Sequence, residues 1–185
     1  MESVFYFVSD KTLKKQLAES LNFSLNLESL AKDHQEPMRS VFYKTIVVYM
    51  ASIIEAVLYF CILQLGFTHY RKDWIYKDIK LLYQVDENNQ VVAGKRVKKK
   101  ARMKGYMDFG ILNQFCKKQA KLYKEDVYKK VDKCRGLRNK IHLMKVSEWD
   151  EEFNNKTVES VAKTLLRVLK IVEKKLKPKN NAQTK

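Results

Sequence analysis

The stretch VVYMASIIEAVLYFCILQLGF, residues 47–67, decides the fold of this chain. It belongs to an apolar segment from Met38 to Phe67 that is too long for a β-strand, so we predict a helix. From Thr45 to Phe67 the only charged residue is Glu55. A helix that is apolar on nearly all sides is typical of the centre of a soluble bundle or of a membrane span.

The membrane alternative is less favourable because of Glu55. A charged side chain near the middle of a membrane span costs about 2.5–3.5 kcal/mol on insertion scales, and the sequence offers no second span to shelter it. We therefore favour a core helix in a soluble protein and keep a membrane anchor as the alternative.

Four further segments have the apolar spacing of helices. The first follows Ser9 and Asp10, contains Leu13, Leu17, Leu21, Leu27 and Leu30, and should end before Pro37. The others cover residues 108–123, about 125–143 and about 155–176. With only five glycines and two prolines in 185 residues, the sequence predicts an all-α bundle of four to five helices.

Residues 67–105 interrupt the helical pattern. Two short runs rich in Val, Leu and Tyr flank residues 86–89, which predicts an inserted β-hairpin, with a flexible basic loop as the alternative. We expect one domain over residues 1–177 that contains this insert, followed by a disordered polar tail at 178–185.

The insert is strongly basic. Of the ten residues 95–104, seven are cationic: Lys95, Arg96, Lys98, Lys99, Lys100, Arg102 and Lys104. Such a segment can follow a phosphate backbone, with Tyr70, Trp74, Tyr76 and Tyr106 as stacking groups. A solvated basic loop without a specific ligand fits the same composition equally well.

The whole chain is basic, with 37 Lys and Arg against 21 Asp and Glu and a net charge of +16. This predicts a polyanionic partner, nucleic acid first and an acidic membrane second, although a basic surface without such a partner is the alternative. The N-terminal sequence does not resemble a signal peptide. Three scattered cysteines indicate reduced thiols in a cytoplasmic protein and no zinc site.

The segment CRGLRNKIHL, residues 134–143, is unusual within an amphipathic helix. On a helical wheel, Val127, Val131, Cys134, Leu137 and Ile141 form a core face. Arg135, Arg138, Asn139 and His142 form a narrow polar strip about a quarter turn away. Imidazole transfers protons near neutral pH, guanidinium binds phosphate, and Asn139 can orient either group. The sequence has no cluster of Asp and Glu that would indicate a metal site, so we expect a nuclease here to work without a metal, and we expect no cofactor. A partner- or DNA-binding helix is the alternative.

The same residues resemble the motif of the HEPN superfamily, an arginine and a histidine separated by four to six residues. Arg135 and His142 have six residues between them, whereas Arg138, which is followed by the polar Asn139, has three. Arg135 is therefore favoured as the motif arginine and Arg138 is kept as an alternate or a supporting phosphate ligand. The resemblance covers about residues 10–66 and 107–177 and leaves the insert without a counterpart.

The resemblance implies a function as well as a fold. HEPN domains are compact helical bundles, usually homodimers, and many are metal-independent ribonucleases that act as toxins or in antiviral defence, some with an antitoxin partner. It implies that Arg135 holds the phosphate and His142 moves the proton while a ribose 2′-hydroxyl attacks. It also implies a polar or acidic residue from an earlier helix, for which Glu55 is the candidate. The alternative is that Glu55 is a buried or rim carboxylate paired with one of the many lysines. A non-catalytic nucleic-acid-binding or regulatory module is the alternative function.

Overall fold

The chain folds into a set of α-helices with a long β-hairpin inserted among them. The structure is a computed structural model that describes residues 2–67, 70–87, 89–102, 107–140 and 152–177. For residues 70–76, 90 and 96–102 it describes the backbone alone. The chain divides into a helical unit, residues 1–67 with 107–185, and a hairpin unit, residues 68–106.

The helical unit contains five α-helices within the described ranges. They are α1 (Lys11–Asp33), α2 (Met38–Gln64), α3 (Phe109–Lys118), α4 (Glu125–Asn139) and α5 (Asn155–Leu176), preceded by a 3-10 turn at Glu2–Phe5. Side chains cap three of them, as expected for Asp and Asn before a helix. Asp10 accepts a hydrogen bond from the Leu13 N–H at 3.0 Å, and Asn154 accepts one from the Thr157 N–H at 3.1 Å. The mostly helical fold with an inserted hairpin agrees with the prediction from sequence.

The apolar helix α2 is the centre of the helical unit. It contacts α1, α3, α4 and α5, and Ile46, Ile54 and Leu58 on it are completely buried. By length and composition α2 is also able to cross a membrane, but 67% of its most apolar window is buried inside the structure. Core helices of soluble proteins, which are mostly buried, have the same length and composition.

The two longest amphipathic helices cover α2. On α5 the predicted apolar stripe is buried: Val158, Val161, Leu165, Leu169 and Val172, with Ala162 partly buried. On α1 the buried face is defined by Leu17, Ser24, Leu27 and Ala31. Leu30 lies beside this face and is 46% exposed, because the leucine spacing of α1 does not keep a constant helical register.

Helix α3 is shorter than the sequence predicts. It ends at Lys118 rather than near Tyr123, and Lys121 adopts a positive φ of 48° that a helix cannot contain. The Gln119 and Ala120 N–H groups both donate to the Phe115 carbonyl. Leu122 and Tyr123 are nevertheless buried, because the chain turns back over the core after α3.

Helix α4 has the predicted core face. Val127, Val131, Cys134 and Leu137 are all buried, and α4 contacts α2, α3 and α5. The structure describes the helix to Asn139, with Lys140 in the turn that follows. The predicted continuation to Leu143, which includes Ile141 and His142, lies outside the described residues, as does the predicted tail at 178–185.

The hairpin consists of antiparallel strands β1 (Tyr70–Gln84) and β2 (Gln90–Arg102). Both strands are longer than the short runs that the sequence predicts. The pairing shifts between Lys77 and Lys80, where Asp78 has a positive φ of 53°. Gly94 lies opposite this bulge, and a Cβ there would approach the Lys77 carbonyl oxygen at 3.2 Å. A side chain at this position would therefore crowd the backbone of β1.

The three cysteines are free and buried in the helical core. Burial raises the thiol pKa to about 11 for Cys61, to about 12 for Cys116 and to about 11 for Cys134. Since the thiolate is the reactive form, we expect iodoacetamide at about pH 8 to alkylate none of them in the folded protein. Mass spectrometry should find three modified cysteines after unfolding in urea, and rapid alkylation of the native protein would contradict this burial.

Candidate functional site

Two arginines on α4 lie beside the first turn of α3. The guanidinium carbon of Arg138 is 6.0 Å from the centre of the Phe109 ring. A Cβ added to Gly110 would lie 3.4 Å from Cδ of Arg135, so the absence of a side chain at Gly110 leaves room for this arginine. Arg135 and Arg138 are three residues apart, which places them next to each other on the helix surface.

Arg138 forms an ion pair with Glu55 in the middle of α2. The Glu55 side chain is only 4% exposed, whereas that of Arg138 is 34% exposed. One end of the pair is therefore inside the protein, and the guanidinium emerges from the core with part of its surface in water. A buried carboxylate requires such a partner because desolvation without one is costly. The only carboxylate of α2 thus anchors an arginine of α4.

Arg135 has a different partner, Asp132, one turn earlier on α4. Nε of Arg135 donates to a carboxylate oxygen of Asp132 at 2.8 Å, and the two side chains are 33% and 41% exposed. This hydrogen bond raises the pKa of the Arg135 guanidinium, and the charges of Asp132 and Asp108 add to the effect against the opposing contribution of burial. Arg135 is therefore cationic throughout the physiological pH range.

Asp108 contributes a third carboxylate near this place. It caps α3 by accepting hydrogen bonds from the N–H groups of Gly110 at 2.8 Å and Ile111 at 3.4 Å. Asp108 and Arg135 both lie beside Gly110, because a Cβ at Gly110 would be 3.1 Å from Oδ1 of Asp108 and 3.4 Å from Cδ of Arg135. We use the term arginine cluster for Glu55, Asp108, Asp132, Arg135 and Arg138. It holds two guanidiniums and three carboxylates.

The structure brings together three of the predicted site residues, Glu55, Arg135 and Arg138. Asn139 is exposed at the last position of α4. The next residue, Lys140, forms an ion pair of 2.6 Å with Glu152, just before α5. These two residues fix the end of α4 to the start of α5. His142 follows Lys140 by two positions in the sequence and lies outside the described residues.

Six of the seven predicted nucleic-acid-binding residues belong to strand β2. Lys95 is exposed, and the backbone of the same strand includes Arg96, Lys98, Lys99, Lys100 and Arg102. Lys104 and Tyr106 lie outside the described residues. Three of the predicted aromatic groups, Tyr70, Trp74 and Tyr76, belong to the partner strand β1.

The sequence patterns do not indicate that Asp108, Phe109 or Asp132 belongs to this site. The spacing of Asp132 and Arg135 is itself a signal, because oppositely charged residues three apart on a helix are neighbours. The position of Asp108 before a helix predicts an N-cap, but nothing in the local sequence predicts that it lies close to Arg135. That proximity depends on how α3 packs against α4, and no local pattern encodes it.

Among the described residues no three His, Cys, Asp or Glu side chains are grouped so that they could hold a metal ion. Comparison with protein families, curated proteins and solved structures found no match to this chain.

Proposed function

We propose that this protein is a metal-independent endoribonuclease of the HEPN type, active as a homodimer, in which Arg135 holds the scissile phosphate and His142 transfers the proton. The observation that supports this best is the difference between the two arginines. Arg138 is fixed by the buried Glu55, while Arg135, beside it, is held by Asp132, whose side chain is half-exposed.

The choice between the two arginines follows from the energies of their ion pairs. Exposed pairs stabilise a protein by about 0–1 kcal/mol, so an RNA phosphate can replace Asp132 at little cost. The Glu55–Arg138 pair is different, because separating it would leave a buried carboxylate without this partner, at a cost of several kcal/mol. We therefore assign phosphate binding to Arg135, and we assign to Arg138 the role of a supporting cation.

The proposed reaction breaks the bond between phosphorus and the 5′-oxygen of the next nucleotide. The 2′-hydroxyl oxygen attacks phosphorus while the imidazole of His142 accepts its proton, and a proton returns to the 5′-oxygen as it leaves. The products are a 2′,3′-cyclic phosphate and a free 5′-hydroxyl. Arg135 stabilises the negative charge that develops on the phosphate oxygens, and Asn139 can orient the phosphate or the imidazole.

We extend the proposal to the role of the protein in the cell. A ribonuclease of this kind fits a cytoplasmic toxin or an antiviral defence effector, restrained by a partner protein until it is needed. The basic residues of β2 would hold the RNA.

The test is cleavage of a mixed RNA by the purified protein in EDTA. We expect RNA fragments with 2′,3′-cyclic phosphate ends and a dimer mass by light scattering. Intact RNA over a range of substrates and concentrations would contradict the proposal, as would cleavage that requires added Mg²⁺.

A second function is a non-catalytic RNA-binding module, and the acidic groups of the arginine cluster favour it. Three carboxylates compete with RNA phosphate for two guanidiniums. This alternative predicts salt-dependent RNA binding without products. Binding that is weakened by alanines at Lys98 and Lys100 and unaffected by His142→Ala would support it.

The Asp132→Asn substitution tests whether Asp132 competes with RNA phosphate for the guanidinium of Arg135. Because the substitution removes the carboxylate that competes with phosphate, we expect RNA to bind about two- to fivefold more tightly, in line with the energy of an exposed ion pair. The matched control is Asp126→Asn, which removes a similar exposed partner from Arg167. Weaker RNA binding by Asp132→Asn than by the control would contradict the role given to Arg135.

A further inference from the structure

The strand register of the hairpin separates its residues into two faces. Residues directly opposite each other in an antiparallel pair lie on the same face, and the face alternates along each strand. One face receives the pairs Tyr70–Arg102, Lys72–Lys100, Trp74–Lys98 and Tyr76–Arg96. We call it the aromatic face. Every aromatic residue in this part of β1 therefore shares its face with the cation opposite it.

The other face has a different composition. It receives the pairs Arg71–Ala101, Asp73–Lys99, Ile75–Val97 and Lys77–Lys95, and we call it the mixed face. It contains no aromatic residue, one acidic residue and an aliphatic pair. The two faces thus divide a basic segment that looks uniform in the sequence.

The aromatic face is not arranged to stabilise the hairpin by itself. It holds five cations and no acidic residue, and Lys72 lies directly opposite Lys100. Like charges at opposite positions of an antiparallel pair destabilise it. A polyanion lying along the face would offset this repulsion. The mixed face also has one pair of opposed lysines, Lys77 and Lys95, but there Asp73 lies opposite Lys99 and offsets part of the charge.

We infer that the aromatic face binds single-stranded RNA, with bases stacked on Tyr70, Trp74 and Tyr76 and phosphates along the cations of β2. The aromatic residues favour a single-stranded ligand over a duplex. In a duplex the phosphates are accessible, but the faces of the bases are covered by their neighbours and cannot stack on a side chain. Stacking accepts any base, so we expect little sequence preference. The choice of RNA over DNA rests on the proposed function, and the binding itself does not.

Two matched pairs of cations test the charge component. Lys98→Ala with Lys100→Ala removes two charges from the aromatic face, and Arg71→Ala with Lys77→Ala removes two from the mixed face. Fluorescence anisotropy with a labelled oligouridylate, in a His142→Ala background that prevents cleavage, gives the salt dependence of binding. We expect the first pair to reduce the slope of log K against log salt by about 1.4, about 0.7 for each phosphate contact. The second pair should leave it unchanged.

Substitutions of Trp74 test the stacking component. We expect Trp74→Ala to weaken oligouridylate binding about fivefold or more, and Trp74→Phe to restore most of it. Ile75→Ala, the matched control on the mixed face, should leave the affinity within about twofold. Because the chain has two tryptophans, Trp74 and Trp149, a Trp149→Phe variant makes Trp74 the only indole reporter. Its fluorescence should be quenched when RNA bases stack on it.

The possible results separate this inference from the nuclease proposal. Equal losses from the two cation pairs, or unquenched Trp74 fluorescence at saturating RNA, overturn the RNA-binding role of the aromatic face even if the wild-type protein cleaves RNA. Binding that depends on the aromatic face supports it even if no cleavage is found. Equal binding of oligothymidylate supports stacking but removes the preference for RNA. Binding only to anionic lipid vesicles, with no binding of oligouridylate, overturns the inference in favour of a membrane surface.

Discussion

Replacing His142 with alanine is expected to lower the rate of RNA cleavage by about 10²–10⁴-fold, the usual contribution of a positioned acid–base group. Replacing Arg135 with alanine should cost about 10²–10³-fold, because one donor to the developing phosphate charge is lost. Arg135→Lys should recover part of this activity, since it restores the charge but not the planar pair of donors. Single-turnover cleavage of a labelled RNA measures all three variants.

The chain offers matched controls for these two residues. His34 is exposed after α1, with Nδ1 2.8 Å from the Leu30 carbonyl oxygen, and His34→Ala should leave cleavage unchanged. Arg167 is an exposed arginine paired with Asp126 at 2.6 Å, as Arg135 is with Asp132, and Arg167→Ala should also leave it unchanged. A His142→Ala protein that cleaves RNA as fast as the His34→Ala control would rule out the proposed chemistry.

Arg138→Ala is expected to have the largest effect on stability. Glu55 would remain inside the protein without this ion-pair partner, and breaking such a pair on one side lowers the free energy of unfolding by about 3 kcal/mol or more. Arg135→Ala should cost less than about 1 kcal/mol, because its pair with Asp132 is exposed. Urea denaturation followed by circular dichroism gives both values.

A double substitution separates the ion pair from the packing of the arginine stem. If the loss in Arg138→Ala comes from the buried carboxylate that has lost this ion pair, Glu55→Leu combined with Arg138→Met should recover most of the stability, because an apolar pair of similar size avoids the buried charge. Stability of Arg138→Ala within about 0.5 kcal/mol of the wild type would show that Glu55 does not depend on Arg138. The same variant also tests whether cleavage needs Arg138, provided that the protein remains folded under the assay conditions.

The sequence predicts the fold well where the structure depends on neighbouring residues in the chain, such as a helix cap or the apolar spacing within one helix. The bounds of α5 follow from the Asn154 cap and from a regular stripe of Val and Leu. The core face of α4 follows from its apolar spacing in the same way. The end of α3 is missed because the positive φ of Lys121 belongs to a turn that its residue type does not encode. The strands of the hairpin are underestimated because Lys98, Lys99 and Lys100 give β2 no apolar alternation.

The candidate site is predictable only in part, since its contacts join distant segments. Glu55 is conspicuous as a charge in an apolar helix, and this alone predicts that it needs a partner. Its partner Arg138 lies 83 residues away in the sequence, and any of the 37 basic residues satisfies the same requirement. Only the packing of α4 on α2 decides between them. The proximity of Asp108 to Arg135 has the same origin.

The central position of α2 has a consequence for synthesis on the ribosome. Of the four helices that contact it, only α1 precedes it in the chain, and α3, α4 and α5 follow the hairpin. More than a hundred residues separate the end of α2 from the end of α5, which at about 5–20 residues per second takes about 6–20 s. For that interval a nascent helix apolar enough for a bilayer is covered on one side only, so this protein should depend on ribosome-associated chaperones.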